Sequence, residues 1–137
     1  MGGRIISSSP YEVVLTELAA TVLIAHGSRR PEANADLVRL AELLHPRLPQ
    51  DRIEIAYLEL AEPSIPTALQ KCVDAGAATV RMLPFFLSAG AHVTEDLEEF
   101  RREFAGQHPA IRFLLAPPIG LHPGIVDILV DRLAEAS

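Results

Sequence analysis

The strongest constraint on the fold is a short apolar run followed by an amphipathic segment, a unit that occurs four times. The first run, residues 21–26, has the length of a β-strand and ends at Gly27. A predicted helix begins at Pro31, and its leucines are spaced as on one face of a helix up to Leu48. The other runs are residues 52–60, 79–87 and 111–120. The last amphipathic stripe consists of Ile125, Ile128, Leu129 and Leu133.

Four such βα units, joined by short connections, predict an α/β fold with one four-stranded, mainly parallel sheet. Right-handed crossovers place helices on both faces of the sheet, which makes a three-layer sandwich. The simplest strand order, 2-1-3-4, is flavodoxin-like. Pro84, inside the third run, lacks a backbone donor. We therefore expect that strand to be irregular near its end or to lack a neighbour on that side.

The chain has the size of one domain. Its 137 residues are 49% hydrophobic, which is enough for one compact unit with a core. We assign residues 21–137 to this domain and residues 1–20 to an N-terminal extension of unknown role. Within the extension, residues 13–18 are compatible with either a strand or a short helix.

Composition also narrows the partners and the compartment. The net charge of -6 argues against a nucleic-acid partner, which would need clustered basic residues. No run approaches the roughly 20 apolar residues that span a bilayer, and the N-terminus lacks the apolar segment of a secretory signal. Cys72, the single cysteine, falls on the apolar face of a predicted helix. We expect a cytoplasmic protein with Cys72 as a buried structural thiol.

The residues best suited to chemistry lie at the carboxyl ends of the predicted strands, where open α/β sheets bind ligands. The first strand ends at His26, the second at Glu59, and the third leads through small residues to His92. In the order 2-1-3-4 these strands are neighbours, so the three side chains can converge. Two imidazoles and one carboxylate form a ligand set for a divalent transition metal, with positions left open for water or substrate.

Each of these residues also has a structural explanation. His26 could be a hydrogen-bonded histidine after an apolar strand. Glu59 could reach solvent, and His92 could be an ordinary residue at a helix start. The other histidines are interpreted as surface or capping residues: His45, His108 and His122.

Signatures of several other chemistries are absent. The chain has neither a GxxxxGK[ST] phosphate loop nor a GxGxxG motif, so no nucleotide cofactor is expected. It has no GxSxG nucleophile elbow. Histidine phosphatases have an arginine directly before the reactive histidine, whereas this chain has Ala25 before His26. This difference disfavours phosphoryl transfer through His26.

Several stretches resemble the sequence blocks of the CbiX/SirB-type class II chelatases. They are AHGSRRPEAN (25–34), YLELAEPSIP (57–66) and LPFFLSAGAHVTEDL (83–97), and PPIGLHPGI (117–125) is similar to the family's closing block. The resemblance extends from about Thr21 to the C-terminus. It implies a chelatase-like fold and ATP-independent insertion of a divalent metal into sirohydrochlorin, a tetrapyrrole precursor of cobalamin or sirohaem.

The same resemblance implies roles for individual residues. His26 and His92 would be the metal-handling and catalytic histidines, with Glu59 as their acidic companion. The candidates for binding the substrate's carboxylates are Ser28, Arg29, Ser88, Ala89, Gly90 and Ala91. The metal would be a substrate, with Co²⁺ favoured and Fe²⁺ or Ni²⁺ as alternatives. The resemblance also implies an assembly. Larger members of the family carry two α/β lobes, and this chain has the length of one. It therefore resembles the small form of the family, which assembles as a homodimer.

Two other functions remain open on the sequence alone. The first is a non-catalytic metal or tetrapyrrole carrier on the same scaffold, which would use the same histidines. The second is a flavodoxin-like interaction module in which the strand-end residues are incidental. We rank the chelatase first, the carrier second and the module third.

Overall fold

An antiparallel hairpin precedes the main sheet. The structure, a computed structural model, describes the backbone of residues 3–9 and 12–16 and the complete residues 17–136. Strands β1 (Gly3–Ser9) and β2 (Glu12–Glu17) pair as a two-stranded sheet, with a shift of register between Ser7 and Ser9. Residues 13–18 were compatible with a strand or a short helix, and residues 13–17 form a strand.

The main sheet has four parallel strands in the order β4-β3-β5-β6. The strands are β3 (Ala19–Ala25), β4 (Asp51–Tyr57), β5 (Thr79–Pro84) and β6 (Arg112–Leu115). Counted within this sheet, the order is 2-1-3-4, so the predicted parallel α/β fold and its strand order are confirmed. The sheet begins two residues before the predicted start at Thr21.

Pro84 occupies a position where its missing donor is not needed. It is the last residue of β5 and lies opposite Ile24 of β3, whereas the pairing of β5 with β6 ends at Met82. The next residue, Phe85, donates its N–H to the carbonyl of Ile24 at 2.7 Å. The prediction that this strand lacks a neighbour on one side near its end is confirmed.

The helices are α1 (Pro31–Leu44), continued by a 3₁₀ turn at His45–Arg47, then α2 (Ile65–Asp74), α3 (Ala91–Gln107) and α4 (Gly124–Glu135). Helices α1, α2 and α3 cover both faces of the sheet, and a fourth helix, α4, follows the last strand. Ser64 caps α2 by accepting the N–H of Thr67. None of the helices in the described part of the chain has both the length and the apolar character required to cross a lipid bilayer.

The larger core lies between the sheet and helices α2 and α3. Val22, Ile24 and Met82 of the sheet pack there with Leu69 and Leu97 of the helices. On the opposite face, α1 covers a smaller core. Its buried members are Leu23, Leu37 and Tyr57. The three predicted layers are therefore present.

Cys72 is fully buried in the larger core. Burial, assisted by the negative charge of Glu54, raises the pKa of its thiol to about 12. Because the thiolate is the reactive form of cysteine, this thiol is inert near neutral pH. The prediction of a buried structural cysteine is confirmed.

Helix α4 differs from the other three. Its apolar stripe is helical as predicted, but none of its side chains is buried. It packs extensively against no other described helix or strand. On the α1 side of the sheet, α1 contacts β3 and β4, and the β5–β6 half has no comparable helix over it.

The core assignment predicts a contrast between two leucines. Leu69 is 0% exposed in α2, so Leu69→Ala should lower the free energy of unfolding by about 2–5 kcal/mol. Leu43 is 71% exposed in α1, and Leu43→Ala should change it by less than about 0.5 kcal/mol. Urea denaturation at one fixed protein concentration measures both. Equal losses in the two variants would contradict the assignment.

Candidate functional site

His26 and Glu59 are neighbours at the carboxyl edge of the sheet. The N–H of Leu58 donates to the carbonyl of Ala25 at 2.9 Å, and that of Glu59 donates to the carbonyl of His26 at 3.0 Å. These bonds continue the pairing of β3 and β4 beyond the strand ends. The side chains follow the backbone, and His26 Nε2 lies 3.2 Å from Glu59 Oε1. The structure thus brings together two of the three predicted ligands.

This pair is open to solvent, with the side chains of His26 and Glu59 57% and 56% exposed. An ion pair that is this exposed contributes little to stability. Both side chains can therefore exchange their mutual contact for a contact with a ligand at small cost. Phe86 contacts the imidazole of His26 edge-on, with 6.1 Å between ring centroids, and limits the directions in which the imidazole can turn.

Gly27 permits the close approach of the two loops. Its φ of +100° lies in the left-handed region, and a Cβ added there would stand 1.7 Å from the carbonyl oxygen of Glu59. A side chain at this position is therefore excluded by both backbone conformation and space. The turn after the first strand is therefore fixed and tightly packed.

Asn34 in the first turn of α1 holds the residues after Gly27. Its Oδ1 accepts the N–H of Ser28 at 2.9 Å, and its Nδ2 donates to the carbonyl of Ser28 at 2.7 Å. The Tyr57 hydroxyl donates to the carbonyl of Asn34 at 2.6 Å. Ser28 is therefore rigidly placed and half-buried, whereas the neighbouring Arg29 is exposed.

Sequence reasoning did not identify Asn34 or Phe86 as supports of the site. Asn34 lies in the same block as His26, and an asparagine in the first turn of a helix was the available signal. For Phe86 the sequence contains no such signal, because an aromatic residue in an apolar strand is usually part of the core.

His92 begins α3 on the other side of the site. The helix has Gly90 as its N-cap residue without a side-chain cap, and His92 is exposed. Within the described ranges 3–9 and 12–136, no three His, Cys, Asp or Glu residues are grouped closely enough to hold a metal ion. His92 therefore does not complete a three-ligand cluster with His26 and Glu59 in this conformation, and its role as a ligand stays a prediction.

The predicted substrate loop connects β5 to α3. Ser88, Gly90 and Ala91 are exposed and Ala89 is half-buried. The preceding residues are held in place, because Phe86 and Leu87 accept backbone hydrogen bonds from Ile119 and Gly120 at 3.1 and 2.8 Å. The loop presents small, mostly exposed residues to solvent.

An acidic cleft of about 420 Å³ lies between the end of β4 and α3. It is lined by Leu58, Glu59, Asp96, Glu99, Phe100 and Glu103. Glu59 belongs to this cleft and to the histidine pair, and it is the member that sequence reasoning selected. Four carboxylates in one concave surface create a negative potential that attracts cations.

Taken together, the fold and site define an α/β protein with a metal-capable His–Glu pair at the carboxyl edge of a parallel sheet. The model of the CbiX family matches residues 20–136. The chain therefore belongs to the CbiX family, and the resemblance described above is confirmed.

Related proteins extend this result. The chloroplastic sirohydrochlorin ferrochelatase of Arabidopsis thaliana is 35% identical over 82% of this chain and 50% of its own length. The sirohydrochlorin cobaltochelatase of Methanocaldococcus jannaschii is 32% identical over 84% of this chain and 97% of its own length. This chain spans half or less of the Arabidopsis protein and of two chelatases of Priestia megaterium.

Solved structures have the same fold. The sirohydrochlorin chelatase SirB from Bacillus subtilis subspecies spizizenii, in complex with cobalt, superposes with a TM-score of 0.79 at 30% identity, covering 86% of this chain and 50% of SirB. The CbiX protein from Marinobacter aquaeolei VT8 gives 0.70 at 30% identity, covering 86% of this chain and 99% of that protein. The predicted chelatase-like fold is confirmed.

The geometry around Gly27 predicts that alanine is not tolerated there. Gly27→Ala should lower the free energy of unfolding by about 1–3 kcal/mol or more through backbone strain and collision with Glu59. It should also remove the hydrogen-exchange protection of the Glu59 amide. Gly90→Ala is the matched control, because its added Cβ meets no atom within 4 Å. Retained protection in Gly27→Ala would contradict the geometry.

Proposed function

We propose that this protein is a sirohydrochlorin chelatase, which inserts a divalent metal into the tetrapyrrole without ATP. The observation that carries the proposal is the half-exposed pair of His26 and Glu59, 3.2 Å apart at the sheet edge of a CbiX family member. Relatives at 32–35% identity are named sirohydrochlorin ferrochelatase and cobaltochelatase.

Metal insertion makes three demands on a protein. The metal must be held weakly enough to leave, two pyrrole protons need acceptors, and the macrocycle needs room beside the metal. An imidazole and a carboxylate both coordinate divalent transition metals, and both accept protons. A pair of protein ligands leaves most coordination positions free for water and then for pyrrole nitrogens. His26 and Glu59 meet the first two demands, and their exposure meets the third.

We assign His92 to the same reaction as a third metal-handling and proton-accepting group. It stands in the first turn of α3, directly after the small residues Ser88–Ala91. The uncapped N–H groups of that turn favour the substrate's carboxylates. On the opposite side of the pair, Ser28 and the exposed Arg29 are the other candidates for binding carboxylates.

Co²⁺ is the metal that we favour, with Fe²⁺ and Ni²⁺ as alternatives, and the metal is a substrate. No nucleotide takes part in this mechanism. Relatives of both metal classes match this chain, and a His–Glu pair accepts all three ions. Affinity alone would select Cu²⁺ or Zn²⁺, so the cell's metal supply decides which ion is inserted.

We further propose a cytoplasmic homodimer. Cys72 is kept as a buried thiol, which suits a reducing compartment. The chain covers half of the Arabidopsis ferrochelatase but 97% of the Methanocaldococcus cobaltochelatase, so a chain of one lobe is a complete protein in that relative. Two copies of a one-lobe chain supply the two lobes that a longer chain carries.

Insertion activity tests the proposal directly. Purified protein should accelerate the absorption change of sirohydrochlorin with Co²⁺, Fe²⁺ or Ni²⁺ under anaerobic conditions. His26→Ala and Glu59→Gln should each lower the rate by about 100-fold or more with the fold retained, because both side chains are half exposed. His45→Ala, in the 3₁₀ turn after α1, is the histidine control and should keep the rate. Tetrapyrrole binding without acceleration over the uncatalysed reaction would make the protein a carrier.

Metal binding without tetrapyrrole separates the roles of the two histidines. In a Co²⁺ titration, His26→Ala should weaken binding by at least about 10-fold, as the loss of one ligand of a weak site requires. His92→Ala should weaken it less, because His92 lies outside the preformed pair, yet it should reduce the insertion rate. Unchanged Co²⁺ affinity in both variants would refute the assignment of the metal site.

A further inference from the structure

Leu60 combines two unfavourable features next to the metal-capable pair. It directly follows Glu59, and its φ of +65° lies in the left-handed region, which is strained for a residue with a large side chain. Its side chain is 53% exposed, so packing in the core offsets little of that strain. A glycine would adopt the same conformation freely. A strained and exposed leucine beside Glu59 therefore indicates a function for the leucine side chain.

The loop that carries Leu60 is held at both of its ends. The two residues before Leu60 are bonded to the loop after β3, as described above. At the base of the loop, the N–H of Tyr57 donates to the carbonyl of Pro63 at 2.9 Å. These bonds fix the backbone on either side, so Leu60 has a defined position at the carboxyl end of β4.

A second exposed leucine lies on the β5 side of His26. Leu87 closely follows the end of β5, as Leu60 follows the end of β4, and it is 69% exposed. Its carbonyl accepts the N–H of Gly120, and Phe86, the residue before it, contacts the ring of His26. Because β3 lies between β4 and β5, the two leucines flank the pair on strands about 10 Å apart.

The acidic cleft limits how the proposed substrate can lie at the pair. Three carboxylates of α3, those of Asp96, Glu99 and Glu103, line this cleft and repel the carboxylates of sirohydrochlorin. Charged groups of the substrate therefore gain nothing on this side of the pair. Contacts with the apolar face of the ring avoid the repulsion, and exposed leucines provide such contacts.

We propose that Leu60 and Leu87 bind the flat face of the tetrapyrrole and hold it over the imidazole of His26. The conjugated ring is apolar and its perimeter carries the carboxylates, so the leucines match the ring and the polar candidates named above match the perimeter. Small-molecule sites are built in this way, from apolar side chains and a few placed polar groups. This inference rests on the proposed function and deepens it by naming side chains that bind the ring.

The substitution Leu60→Gly separates a binding role from a structural one. It relieves the backbone strain, so the melting temperature should stay the same or rise. It also removes the apolar contact, so the Kd for metal-free sirohydrochlorin, measured by fluorescence titration, should rise at least about 10-fold. Leu60→Met should restore most of the affinity. The affinity for Co²⁺ alone should not change, because His26 and Glu59 are retained.

The substitution Leu87→Ala has a matched control on α1. Leu87 and Leu43 are 69% and 71% exposed, so alanine removes a similar exposed surface at each position. Leu87→Ala should raise the Kd for sirohydrochlorin about 5-fold or more, whereas Leu43→Ala should leave it unchanged. The effects at Leu60 and Leu87 should be the same at low and high salt. The effect of Arg29→Ala should shrink as salt rises, because salt screens charges.

Three outcomes would overturn the inference. Unchanged sirohydrochlorin affinity in either Leu60→Gly or Leu87→Ala would do so and leave the proposed function standing. A weaker dimer in analytical ultracentrifugation, with sirohydrochlorin affinity retained, would show that the leucines pack against a second copy of the chain. A wild-type protein that does not bind sirohydrochlorin would refute the proposed function and this inference together.

Discussion

The site depends on one close approach of two backbones. The loop after β3 runs against the loop after β4 so tightly that Gly27 has no room for a Cβ beside the carbonyl of Glu59. Parallel pairing then continues past the strands, and the His26 and Glu59 side chains emerge next to each other. A site built on strand ends in this way takes its rigidity from the sheet and its openness from the loops.

The sequence was sufficient to predict most of the fold, because apolar periodicity and breaker residues act locally. The strand order was predicted as the simplest arrangement of four parallel βα units, and the structure has that order. The missing donor of Pro84 indicated that β5 would be irregular or lose a neighbour near its end, and it loses β6 there. The packing of α4 could not be predicted in the same way. A stripe such as Ile125, Ile128 and Leu129 indicates that a helix needs an apolar partner, but periodicity does not say which surface, or which copy of the chain, supplies it.

The site was predictable only in part, for a related reason. The strand-end rule identifies residues by their position in the chain, and that was enough to bring His26 beside Glu59. The supports of the pair depend on side-chain directions in three dimensions. Asn34 reaches back from α1 to Ser28, and Phe86 turns its ring edge-on to the imidazole. His92 belongs to another helix, so its distance from the pair depends on the loop between them.

That loop links the surroundings of His26 to those of His92. It is held at one end by the hydrogen bond from Phe85 to Ile24 of β3 and further along by the bonds from the α4 linker to Phe86 and Leu87. Phe86 contacts the ring of His26, and the loop continues into the helix that carries His92. The backbone bonds at the start of the loop therefore fix Phe86 beside His26, whereas residues 88–90, which follow them, set where His92 lies relative to the pair.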